Sequence, residues 1–486
     1  MSKKRILLLF LPVLLLFGCQ SEVPKDEALS SLQVSENGRF LVKENGDPFF
    51  WLGDTGWRLI AKLKREDARR YLEDRCEKGF TVIQCQLLPL VVEQTNAFGE
   101  TAFLDHDVRK PNQPYWEHVD YVLETAAELG LYMAVLPAWA RAYTETRLGN
   151  PENKILSDDP EAAYDYGSFL GGRYQDLDNL IWILGGDSWG TKDSIYDNLA
   201  KGIRDTYGFG KPNRVLMSYH PKGGTYRPPA TSSAEFYHEK EWLDFNMIQS
   251  GHRIGHRNFE RIAKDYQMLP VKPTLESEPC YEHHPVKHNF ANGEFLAWHM
   301  RRRAYWSILA GSFGFTYGGN GIWQMATPEE PGRDSHFNYY WYEALDHEGG
   351  KQMIHVRNLF ESRPFIDPDR IPDQRIVLDP ADSTDAHIQA ARAEDLSYWI
   401  VYVTNGRVFS LNANLLAEQK YRAWWYDPST GMVFGQDGEE IRKPFKIAAE
   451  AGVLRFDPPG EAGDGQDWIL VLDQVGAGYK VPGKVN

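Results

Sequence analysis

Eight times between Pro48 and Leu359 the sequence passes from a short apolar run into an amphipathic stretch, and this alternation limits the fold more than any other feature. The strand-like runs are "PFFWLGDTGW" (Pro48–Trp57), "FTVIQCQLLP" (Phe80–Pro89), "LYMAVLPAW" (Leu131–Trp139) and "LIWILGGD" (Leu180–Asp187). The remaining four are "RVLMSYHP" (Arg214–Pro221), "FNMIQSGH" (Phe245–His252), "KPTLESEPCYE" (Lys272–Glu282) and "GFTYGGNGIW" (Gly314–Trp323). Helix-like stretches follow, capped by Pro160 at one start and by Gly79 and Gly130 at two ends. Near-continuous apolar runs suit parallel strands covered on both faces. Eight such units over roughly 310 residues predict an α/β chain forming a (β/α)8 (TIM) barrel. A doubly wound sheet would place a glycine-rich phosphate turn after its first strand, and "LGDTGW" does not match one.

Beyond Arg363 the helical period stops. "SYWIVYVTN", "YRAWWYDPSTGMVFG" and "DWILVLDQ" are short strands broken by Gly, Pro, Asp and Asn, which predicts a small antiparallel β-sandwich domain. The other end is a targeting segment: Lys3, Lys4 and Arg5 precede the apolar "ILLLFLPVLLLF", which ends at "LFGCQ". A cysteine directly after a small residue there resembles a bacterial lipobox, with Cys19 as the lipidated first residue. The expected organisation is a signal peptide over 1–18, a polar tether over 19–30, the barrel over 31–362 and the sandwich over 363–486. The chain is thus expected to be an exported lipoprotein held at the outer membrane, touching lipid only through that anchor. Cys76, Cys85 and Cys280 are an odd remainder without CxxC spacing, so neither a disulfide framework nor a metal is expected. A net charge of −15 argues against nucleic acid as a partner. No cofactor is expected either.

The active site of such a barrel lies where the strands run out at their C-terminal ends. Those ends carry Asp54 and Trp57, Trp139, Asp187 and Trp189, His220, His252, Glu278 and Tyr281, and Tyr317 and Trp323. The aromatic members suit stacking on sugar rings, and the 15 tryptophans of the chain favour a carbohydrate ligand. Two acids stand apart. Gly185 and Gly186 strip the backbone just before Asp187, as happens where a ligand or another backbone comes close. Pro279 holds Glu278 in extended conformation at its strand end. Glu276 is expected on the same side of that strand, one layer deeper. A pair of carboxyl groups on one rim is the equipment for cleaving a glycosidic bond, one as proton donor and the other as nucleophile or base. Cover from Trp182 or Trp189, with a charged Glu278 nearby, would keep Asp187 protonated as the donor.

"NLIWILGGD", "PTLESEPCYE", "GFTYGGNGIW" and "AWWYDPSTGMVFG" together resemble the apiosidase-like proteins of glycoside hydrolase family 140, a barrel followed by a collagen-binding-type β-domain. The resemblance covers nearly the whole mature chain. It implies a retaining glycosidase with Asp187 as acid/base and Glu278 as nucleophile. The implied substrate is a plant cell-wall oligosaccharide, the pectic rhamnogalacturonan II, from which apiose would be released. Loops over 90–112 and 223–233 would shape the pocket.

Two rivals use the same residues. His220 and His252 end adjacent strands, as ligands do in metal-dependent hydrolase barrels, although the expected His-x-His and closing aspartate are missing. Alternatively, an aromatic-lined barrel on a lipid anchor could capture glycans without cleaving them. Trp424, Trp425 and Tyr426 could bind sugar on the second domain, but adjacent strand residues face opposite ways, which favours packing.

Overall fold

The computed structural model describes residues 29–90, 94–143, 156, 159–190, 192–210, 215–223, 231–328, 337–379, 385–416, 418–435, 443–447 and 450–485. Cys19 and the signal segment lie outside the described residues. Eight parallel strands form the barrel: β1 (Trp51–Thr55), β2 (Val82–Gln86), β3 (Tyr132–Leu136), β4 (Leu180–Ser188), β5 (Met217–Pro221), β6 (Asn246–Gln249), β7 (Thr274–Glu278) and β8 (Gly314–Tyr317). They pair in the order β5-β4-β3-β2-β1-β8-β7-β6, with Thr231–Ser232 added antiparallel to β6. β5 and β6 share no ladder. Asp244 instead bridges this seam, its N–H donating to the Met217 carbonyl while its carboxylate accepts from the Met217 N–H at 2.7 Å. The Ser218 hydroxyl adds a bond to the Phe245 carbonyl.

Among the described residues, seven long helices surround the strands: α1 (Arg65–Glu77), α2 (Gln113–Glu128), α3 (Pro160–Arg173), α4 (Asp193–Thr206), α5 (Asn258–Tyr266), α6 (Ala297–Leu309) and α7 (Glu348–Glu361). Among the described residues between β5 and β6, the short turn Ala234–Tyr237 is helical, which fits the loop-rich sequence there. Period-2 alternation divides each strand. In β4, Ile181 and Ile183 face the barrel interior, whereas Leu180, Trp182 and Leu184 join the layer beneath the helices. The interior floor is an aromatic plug of Trp51, Phe245 and Phe313.

The predicted first strand divides in two. Pro48–Phe49 belongs to a three-stranded antiparallel sheet with Leu32–Val34 and Leu41–Lys43, and only Trp51–Thr55 enters the barrel. The chain is already packed at Ser30, whose carbonyl accepts from the Tyr132 hydroxyl at 2.7 Å.

The second domain contains β9 (Arg370–Pro372), β10 (Ile388–Ala393), β11 (Tyr398–Val403), β12 (Phe409–Asn412), β13 (Tyr421–Tyr426), β14 (Val433–Phe434), β15 (Phe445–Lys446), β16 (Val453–Phe456) and β17 (Trp468–Gln474). Its antiparallel sheet runs β9-β10-β11-β17-β13-β14, with β15 also on β13, and β12 pairs with β16 as a ribbon. Alternation sends Trp399, Val401, Ala423 and Trp425 toward the ribbon. Tyr398, Ile400, Tyr402, Trp424 and Tyr426 face the barrel. All three aromatics of the Trp424–Tyr426 run are buried, so they pack rather than present a sugar platform.

Candidate active site

β4 ends in a distortion. Its register with β5 breaks between Gly185 and Ser188, and residues 185, 186 and 187 have φ of 84°, 105° and 50°. A Cβ on Gly185 would stand 2.6 Å from the His220 carbonyl oxygen, and one on Gly186 would stand 2.8 Å from the Trp139 ring. Glycine is needed at both places for the backbone angle and for the close approach. The bulge swings Asp187 toward β7.

β7 carries a second bulge. Ile248 pairs with Glu276 and Gln249 with Glu278, so Ser277 is an extra residue in the ladder. It is pinned across the barrel, where the Gln84 amide donates to the Ser277 carbonyl at 2.9 Å, and by its own hydroxyl on the Ile248 carbonyl. The expectation that Glu276 lies below Glu278 on one side is therefore corrected. An extra residue inverts the alternation. Glu276 is buried among Ser250, Asn258 of α5 and Arg303 of α6, and desolvation raises its carboxyl pKa to about 7. Glu278 turns into the mouth.

There the carboxyl oxygens of Asp187 and Glu278 and a ring nitrogen of His220 all lie within 4.8 Å of one another. Nε2 of His220 is 2.9 Å from Oε2 of Glu278, and Nε2 of His252 is 3.9 Å from Oε1. Asp187 is part-exposed, yet its carboxyl sits against protein. Desolvation raises its pKa and the charge of Glu278 raises it further, opposed by His220, the Gln249 amide and Lys222.

Trp57 organises the opposite wall. Its indole N–H donates to the Tyr281 hydroxyl at 2.9 Å, filling an acceptor position and leaving the hydroxyl proton for the Glu278 carboxylate beside it. Edge-on contacts join Trp57 to His220 at 5.2 Å and to Trp139 at 5.4 Å between ring centroids. Trp323 lies 6.4 Å from Tyr281. Trp189 is the widely exposed aromatic of the group, and Nζ of Lys222 rests 5.3 Å from its ring.

Three sequence-based assignments are corrected. Asp54 is fully buried behind β1, accepting from the Tyr71 hydroxyl at 2.8 Å and facing Arg75 at 3.4 Å, both on α1. Tyr317 is its register partner on β8 and likewise faces outward, donating to Glu282 at 2.6 Å. Trp182 packs edge-on against Tyr207 in the helix layer and gives Asp187 no cover. Residues beyond the sequence reading also meet here. Gln249 and Lys222 act on Asp187, and His284 and His288 pack around His252, with the His252 and His284 rings stacked at 4.0 Å. The run "YEHHPVKH" after β7 was the signal for the histidines.

Residues 35–367 match the family described as "Apiosidase-like, catalytic domain", and residues 371–473 match "Putative collagen-binding domain of a collagenase". No curated protein matches the chain. A solved structure titled "Glycoside hydrolase" is 33% identical, with a TM-score of 0.80 over 92% of this chain and 97% of its own. A second, a glycoside hydrolase family 5 protein from Bacteroides vulgatus ATCC 8482, is 31% identical at the same TM-score, covering 92% of this chain and 93% of its own. Two facing carboxyl groups at the C-terminal mouth of a barrel, under a match spanning that whole barrel, identify the chain as a glycosidase belonging to the apiosidase-like family.

Proposed function

We propose that the enzyme removes apiose from a pectic glycan of the rhamnogalacturonan II type, with retention at the anomeric carbon. The observation that carries this reading is the approach of the Asp187 and Glu278 carboxyl oxygens to within 4.8 Å. Retaining glycosidases hold their two carboxyl groups about 5–5.5 Å apart, and inverting ones need a wider gap for water. Asp187, kept protonated by burial and by its anionic neighbour, gives its proton to the leaving oxygen. Glu278, oriented by the Tyr281 hydroxyl, attacks the anomeric carbon to form a glycosyl ester. Asp187, now a carboxylate, takes a proton from the water that hydrolyses the ester. Lys222 beside Trp189 would suit an acidic sugar on the leaving-group side. Export as a Cys19-anchored outer-membrane lipoprotein stands as part of the same proposal, and Cys19→Ala should abolish incorporation of radiolabelled palmitate.

Assay of rhamnogalacturonan fragments with wild type, Asp187→Asn and Glu278→Gln tests the reading. Asp187→Asn should lower kcat by about 10²–10⁴-fold. Glu278→Gln should bind glycan and release no sugar. Wild type that binds glycans and cleaves none would make the protein a capture module instead, and an inverted product seen by NMR would end the retaining assignment.

A further inference from the structure

The mouth presents a second kind of chemistry. His220 is wholly buried, and among the described residues neither of its ring nitrogens makes a hydrogen bond, nor does Oε2 of Glu278, which faces Nε2 at 2.9 Å off the hydrogen-bond direction. Nε2 of His220 and Oε2 of Glu278 thus lie side by side without a hydrogen-bond donor on either, and Asp187 joins the same cluster, whose three residues each offer a ligand atom within 4.8 Å of the others. Zinc takes nitrogen and oxygen ligands at about 2.0–2.1 Å in tetrahedral array, which separates ligand atoms by about 3.3 Å. His220 and Glu278 are nearly so spaced, and Asp187 needs to approach by at most about 1.5 Å. One imidazole with two carboxylates suits zinc and cobalt, whereas calcium and magnesium prefer all-oxygen shells of six or more ligands.

We infer that Asp187, His220 and Glu278 form a single transition-metal site whose occupation silences the enzyme. A bound ion ties up both carboxyl groups and so competes with the sugar. This inhibitory consequence rests on the catalytic reading above; the binding itself does not. The surroundings distinguish an exchangeable inhibitor from a resident cofactor. A resident ligating histidine donates its second nitrogen to a carboxylate or carbonyl, and Nδ1 of His220 has no such partner.

The test uses the full chain freed of metal with EDTA, then titrated with zinc chloride alone by calorimetry and with cobalt chloride by visible absorption. One zinc per chain is expected, with tetrahedral cobalt bands and no heat from magnesium chloride. His220→Ala should weaken zinc about 100-fold or more, while His284→Ala binds as wild type does. Asp187→Asn, a near-isosteric change, gives a second loss of affinity should His220→Ala unfold. The EDTA-treated enzyme should be fully active, and zinc should raise KM for glycan without lowering kcat. Absence of stoichiometric binding, binding that survives in both His220→Ala and Asp187→Asn, or its loss in His284→Ala would overturn the site. An EDTA-inactivated enzyme revived by zinc would overturn the inhibitory role. Because zinc is titrated without substrate, failure of the catalytic assignment reads separately, as turnover that persists in Glu278→Gln.

Discussion

At residue 186 the backbone has a φ of 105°, and the Trp139 ring occupies the place a side chain would take. Gly186→Ala should therefore cost about 1–3 kcal/mol in thermal unfolding, because the strained backbone and the displaced indole both resist it. Since Asp187 follows directly, kcat should fall by more than the stability loss explains, toward about 10²-fold for a displacement near 1 Å. Trp57 acts one contact further out. Trp57→Phe keeps the packing against His220 and Trp139 and removes the N–H on Tyr281. Loss of a hydrogen bond of about 1 kcal/mol predicts a five- to tenfold lower kcat with KM unchanged. Tyr281→Phe should cost similarly, and the double variant little more than either, since both break one chain of contacts.

At the scale of elements, β7 shows how a strand serves two layers. Its bulge at Ser277 sends Glu276 toward the helices and Glu278 to the mouth. Glu276 has a folded pKa of about 7 against an ordinary value of 4.5. The fold thus favours the protonated form, a contribution fully present below about pH 4.5 and lost as the pH rises through 7. Glu276→Gln retains the neutral shape without titrating. Its unfolding free energy in denaturant should gain on wild type between pH 5 and 8, approaching a difference of about 3 kcal/mol at the upper end. A constant gap across that range would show that Glu276 is ionised throughout. Gln84 and β6 hold the bulge from two sides, so the direction of Glu278 depends on three strands at once.

Over the whole molecule, the second domain is a structural partner of the barrel. Arg363 donates both fork nitrogens to Asp473 at 2.9 and 2.8 Å, and the Trp424 indole donates to the same carboxylate at 2.9 Å. Arg301 of α6 likewise grips Asp467, which also accepts from the Tyr402 hydroxyl. These charges are almost wholly buried. Removing one partner strands the other, so Asp473→Ala should lower stability by about 3–5 kcal/mol in denaturant unfolding. Both domains should melt earlier together, because the large sheet buries one face on the barrel and the other on its own ribbon.

The order of strands and helices, the change to antiparallel strands after the barrel and the strand-end positions of Asp187 and Glu278 were legible in the sequence because each is written locally. Periodicity sets the element, Pro and Gly set its ends, and an acid after an apolar run marks a strand terminus. The same local logic placed Asp54 and Tyr317 at strand ends but could not tell that their side chains face the helices. Which way a residue points at a strand end depends on register and bulges. Those are fixed by partners such as Gln84 and Ile248, remote along the chain, and by ring packing such as Trp139 over Gly186. Only the closed barrel brings Asp187, His220 and Glu278 to one point, since that convergence belongs to the shape of the sheet and to no single segment.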